Sequence, residues 1–366
     1  MDPRVEKLAQ VLVHYSLDLQ PGEELAVKTS PLAEELNLAV LKEALLAGAN
    51  VFFLNRIPGE MELFYRYASD AQLDYVSPIN QYIHEHYRAI LDIEAQHNTR
   101  ELSGIDPARI SRARKARRGL FNKMIERIGT GDLKWTFTVF PTQANAQEAD
   151  MSLSAYQDFV YQAGMLDLPD PVSGWKEEHI RQQRWIESMK GKSSIVIRGK
   201  DVDLRLSIKD RAFLGAAGKE NFPDGEIYTS PVEKSANGWI RFAYPAIYDG
   251  REVSDVELWF EDGKVVREKA AKGEAFLTQI LNTDPGARYL GELGIGTNYS
   301  IPRFTKNILF DEKLGGTIHL AVGAGFPEVG GENESGVHWD MLCNMADSEM
   351  LIDGELYYKD GKFVIE

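Results

Sequence analysis

Along the first half of the chain, apolar residues alternate between helical spacing and short continuous runs. An amphipathic helix from Val5 precedes the run Leu25-Ala26-Val27-Lys28, a long helix follows through Leu32 to Ala47, and Val51-Phe52-Phe53-Leu54 is the next strand. Ala89-Ile90-Leu91-Asp92-Ile93, a basic helix from about Pro107 to Arg127, and Trp135-Thr136-Phe137-Thr138-Val139 continue the alternation. Helices between short buried strands predict a parallel sheet, so this part reads as a Rossmann-like α/β domain. Leu166 to Gly174 reads as a loop, and a helix from Lys176 to Met189 bridges to a second domain. After Gly191 the period changes to two. Ser194-Ile195-Val196-Ile197 and the alternating Val202-Asp203-Leu204-Arg205-Leu206 predict strands, with hairpin turns at Asp262-Gly263 and Asp360-Gly361 and one helix from Glu274 to Asn282. The expected fold class is therefore α/β plus α+β: a Rossmann-like parallel-sheet domain over 1–190, then a β-rich domain over 191–366 that carries the metal ligands.

The candidate chemistry lies in the β-rich part. Glu226, Glu292, Glu312, His319, His338 and Asp340 each fall at a turn or on an extended run. Pro223-Asp224-Gly225 is a turn that presents Glu226 at a strand mouth. In His338-Trp339-Asp340, extended backbone points the imidazole and the carboxylate to one face, whereas a helix would splay them. A Gly315-Gly316 break separates Glu312 from the apolar strand in which Thr317, His319 and Ala321 share a face. Four carboxylates would neutralise two divalent cations, and two neutral imidazoles would complete their coordination, which is the charge balance of a two-metal hydrolase. Each residue has a blander reading. A Glu after a turn is usually solvated, and a His in an apolar strand is usually a hydrogen-bonded core residue. The clustering of all six favours a metal site.

Residues 221 to 345 carry a further signal: Asn-Phe-Pro-Asp-Gly-Glu-Ile-Tyr-Thr-Ser-Pro, then Leu-Gly-Glu, Leu-Phe-Asp-Glu, His-Leu-Ala and His-Trp-Asp-Met. In order and approximate spacing this series resembles the thermophilic aminopeptidases of the aminopeptidase T and aminopeptidase S type, and Arg4 to Phe53 resembles that family's opening. The resemblance implies a cocatalytic exopeptidase that removes N-terminal amino acids with a water activated by two metals. Its ligands would be Glu226, Glu292 as the bridge, Glu312, His319, His338 and Asp340. Glu292 and Glu312 are the candidate catalytic carboxylates, with Asp340 the alternative to Glu312 as proton acceptor. It also implies two divalent ions per chain (zinc, cobalt, manganese or magnesium), peptides with a free N-terminus as substrates, and a homodimer. One position departs from the family, which places a tyrosine seven residues after the histidine of His-Leu-Ala. Here that residue is Phe326, a candidate substrate-binding residue whose ring cannot donate a hydrogen bond. Either another donor serves, or activity is weaker or directed at a different substrate. The alternatives are thus a metallohydrolase of other small amides and a weakened or silent metal-binding relative.

Composition narrows the remaining choices. The 366 residues, 43% hydrophobic and 27% charged, suffice for two cored domains. A net charge of -15 argues against general nucleic-acid binding. No apolar stretch approaches the length of a membrane span, and Met1-Asp2-Pro3-Arg4 lacks a signal-peptide plan, so the expected compartment is the cytoplasm. Cys343 is the single cysteine, which excludes an intramolecular disulfide or a thiolate cage, and is expected to pack beside Met341 and Met345. The basic run from Arg109 to Arg118 is expected to be a solvated face or a subunit contact. His84 and His86 lack the spacing of a helical zinc motif and are expected at the surface. Gly323-Ala324-Gly325 is followed by Pro327 where a phosphate-binding helix should begin, so a nicotinamide cofactor is rejected.

Overall fold

A computed structural model describes residues Asp2 to Ile365, and by contacts the chain divides into two compact units. The first comprises 1–172 and 218–223, the second 173–217 and 224–366. This division differs from a single border at 190/191 in two respects. The helix residues 173–189 count with the second unit, and a short returning segment, 218–223, adds an edge strand to the first.

In the first unit five strands form one parallel sheet in the order Asn50–Asn55, Glu24–Thr29, Ala89–Glu94, Lys134–Val139, Asn221–Phe222. Leu25, Ala26 and Val27 are all fully buried, as expected for a strand covered on both faces. The basic helix runs from Pro107 to Gly129, and several of its arginines are paired within the unit. Arg112 meets Asp70 and Asp74, while Arg127 donates to the carbonyls of His84 and Tyr87. One expectation fails here. His84 is buried, not superficial, because its Nδ1 meets the Asn80 carbonyl at 2.7 Å and its Nε2 lies 3.3 Å from Lys28 Nζ.

The second unit contains two large antiparallel sheets, of eight and five strands. The five-stranded sheet runs His338–Asn344, Thr317–Gly323, Leu290–Gly296, Glu226–Thr229, Leu214–Ala216. Period-two alternation turns Ile227, Leu293, Ile295, Ile318, Leu320, Trp339 and Met341 into a core shared with Ile195, Ile197, Leu204 and Ile240 of the eight-stranded sheet. Cys343 and Met345 join that core. The alternate residues of the five-stranded sheet are thereby directed to its other face, and among them are Glu226, Glu292, His319, His338 and Asp340. Among the described residues no helix is long and apolar enough to cross a membrane.

Candidate metal centre

A bulge sets the central carboxylate. Leu290 and Leu293 both face the core although three residues apart, because the pairing with Thr317–Gly323 shifts between Leu290 and Glu292. The extra residue re-aims Glu292 to the polar face. It is Gly291, where a Cβ would lie 1.9 Å from the Ala324 carbonyl oxygen, so the close approach needs glycine. Glu226 opens its own strand directly after the Pro223-Asp224-Gly225 turn, and Gly225 takes a φ of +120°. His319 pairs with Gly294, and a Cβ on that glycine would fall 2.0 Å from the imidazole. The ring therefore lies across the neighbouring strand and reaches the carboxylates beyond it.

Two groups of ligand atoms result, joined by one residue. His319 Nε2 is 3.3 Å from Glu226 Oε2 and 3.4 Å from Glu292 Oε1. His338 Nε2 is 3.2 Å from Glu292 Oε2 and 3.6 Å from Asp340 Oδ2. Ligands about 2.1 Å from a common tetrahedral ion lie roughly 3.4 Å apart, so both triads have the spacing of metal ligands. Glu292 offers one oxygen to each triad. Two buried oxygens, Glu226 Oε2 and Asp340 Oδ1, accept no hydrogen bond, which is the state of carboxylates built for a cation. The Nδ1 of His338 lies 2.9 Å from the Ala324 carbonyl; donation there leaves Nε2 to ligate.

Electrostatics agree with this geometry. Burial alone would lower both imidazole pKa values, yet the carboxylates around them raise His319 to about 9 and His338 to about 10. Burial would raise Glu292, but the two histidines hold it well below the usual carboxylate range. Burial does prevail at Asp340, pushed up to about 6, and it raises Glu226 despite nearby Lys313. Protons thus gather where positive charge is lacking.

Glu312, the sixth expected ligand, belongs to neither triad. Its Oε1 accepts from Lys313 Nζ at 2.6 Å, and its charge adds to the raising of Glu226 and Asp340. Phe326 stands beside the second triad, with its ring centroid 5.0 Å from that of His338 and 5.4 Å from that of Tyr228. Its backbone N–H donates to Ser230 Oγ at 2.9 Å, which fixes the loop. Sequence reasoning missed Lys313 and Asp224. Lys313 is only 1% exposed, and the fully buried Asp224 has Oδ1 3.7 Å from its Nζ. A lysine beside a glutamate reads as solvated in any sequence, so no local signal marks it.

Residues 1–365 of the chain match the model of one family, described as thermophilic metalloprotease (M29). The chain belongs to that family. The metalloprotease is 27% identical to aminopeptidase 2 of Geobacillus stearothermophilus over 99% of this chain and 95% of that one. It is 25% identical to aminopeptidase T of Thermus thermophilus, with 98% and 95% covered. Among solved structures, wild-type AmpT from Thermus thermophilus matches the metalloprotease with a TM-score of 0.87 at 22% identity, over 99% of each chain. The 2,5-dihydroxypyridine dioxygenase of Pseudomonas putida matches with a TM-score of 0.60 at 13% identity, over 100% of this chain and 98% of that one, so the fold spans more than one chemistry.

Proposed function

We propose that the protein removes N-terminal amino acids from peptides with a free α-amino group, using two divalent ions held by Glu226, Glu292 and His319 and by Glu292, His338 and Asp340. The chain is a metal-dependent aminopeptidase, as family membership over its full length and its aminopeptidase relatives indicate. The observation that carries the two-ion reading is Glu292, whose two oxygens face two different imidazoles. When bound, such ions polarise the scissile carbonyl and acidify a coordinated water. Glu292 holds the two triads in one register. Glu312 stands outside both triads and, unlike the fully buried Asp224, keeps 17% of its side chain exposed, so it is the carboxylate we assign to carry the proton. Phe326 forms an apolar wall beside His338, where a substrate side chain can pack. Oxygen and nitrogen ligands without thiolate suit zinc, cobalt, manganese or magnesium. The assembly we propose is a homodimer, on the ground of family resemblance, and the compartment we propose is the cytoplasm.

Chelator-stripped protein tests this reading, with aminoacyl-anilides as substrates and each metal added back while bound metal is counted. The expected result is metal-restored release from free-amine substrates at saturation with two ions per chain. Equal hydrolysis of N-blocked anilides would overturn the exopeptidase assignment.

A further inference from the structure

Lys313 places a side-chain amine beside the metal centre, against Glu226 and Glu312. Its Nζ donates to Glu226 Oε1 at 2.5 Å and to Glu312 Oε1 at 2.6 Å, and Asp224 Oδ1 lies 3.7 Å away. The ammonium is held in place through the backbone. Lys313 N–H donates to the Phe310 carbonyl, and its own carbonyl accepts from Asn298 N–H at 3.0 Å. Asn298 Nδ2 in turn donates to the Asp224 carbonyl at 2.8 Å, fastening the lysine to the segment that carries Glu226.

The two triads are therefore not equivalent. Glu226 belongs to the first and spends one oxygen on Lys313, leaving only Oε2 toward His319. Glu292 and Asp340, the carboxylates of the second, make no ion pair with any lysine or arginine among the described residues. The charge lies where the geometry puts it: Lys313 sets its ammonium against Glu226 and Glu312, on the side of the first triad, and against neither carboxylate of the second.

We propose that Lys313 is a positioning residue that makes the two cation positions unequal, so that the ion at Glu292, His338 and Asp340 is retained tightly and the ion at Glu226, Glu292 and His319 exchanges. The ammonium fixes which oxygen Glu226 presents and repels a second cation beside it. This rests on the two-triad reading above and adds an order of occupancy to it.

Calorimetric titration of the metal-free full chain with manganese, and a metal count after gel filtration, test the idea. Wild type is expected to bind in two steps separated by about tenfold or more in affinity, and to emerge with one ion per chain. Glu226→Gln should remove the weak step and spare the strong one. Lys313→Met should narrow the gap at least several-fold and raise the retained count toward two. Two equal steps in wild type would overturn the proposal even if Lys313→Met does not fold. So would loss of the strong step in Glu226→Gln, or an unchanged gap in a folded Lys313→Met. No manganese binding at all would instead bring down the two-triad reading on which this rests.

Discussion

The imidazole of His319 lies over the backbone of Gly294 on the adjacent strand, in space that a Cβ would enter to within 2.0 Å. The ligand thus depends on a residue with no side chain. Gly294→Ala is expected to push the ring away from Glu226 and Glu292, and to cost about 1–3 kcal/mol as an overpacked site. Metal should be lost from the first triad, with activity down by about a hundredfold or more. Metal counting and anilide kinetics on the variant check this; wild-type values for both would show that the strand accommodates the methyl without moving the ring.

Glu292→Gln removes the charge that serves both triads. Because each oxygen faces a different imidazole, the variant should lose both bound ions and all measurable turnover, whereas Asp340→Asn should weaken the second triad first. Retention of both ions by Glu292→Gln would refute the bridging role.

Removing metal should destabilise the protein as well as silence it. Glu226, Glu292, Glu312 and Asp340 are then compensated only in part, by Lys313 and by protons taken up on His319 and His338, in a largely buried cluster. A ligand that binds only the folded state stabilises it by about 2.7 kcal/mol at a hundred times its dissociation constant. Thermal melts with and without chelator should therefore differ by several degrees, and coincident melts would argue against a metal at this position.

His84 predicts a pH dependence outside the metal centre. Burial, then the Lys28 charge, lowers its pKa from the ordinary 6.5. A folded value below the unfolded one gives stability that is fully present above pH 6.5 and is lost as pH falls through the folded value. His84→Gln should flatten this decline. Urea unfolding at about pH 5, 6 and 7 measures it, and parallel curves for wild type and variant would show that another group is responsible.

Sequence by itself determined the order of elements, the change from helical to strand period near Gly191, and the residue types that make up the two triads. The physical reason is local. Burial on one face imposes a period of two, so His338 and Asp340 had to share a side, and a turn had to deliver Glu226 to a strand mouth. The composition of the ligand set could be read in the same way, because residue type alone fixes what an atom can ligate.

Only the tertiary structure decided how those groups are divided. Glu312 reads as a ligand in the chain, and the structure sets it against Lys313, beside the two triads and in neither. His84 reads as a surface residue because it lacks the spacing of a helical zinc motif, yet it is buried beside Lys28. Lys313 and Asp224 carry no local mark, since burial of a charge is tolerated only where partners from other segments surround it. Which oxygen faces which imidazole, and where an internal ammonium sits, depends on strand register, one bulge and two glycines acting across residues 224 to 340, and no window of sequence spans that distance.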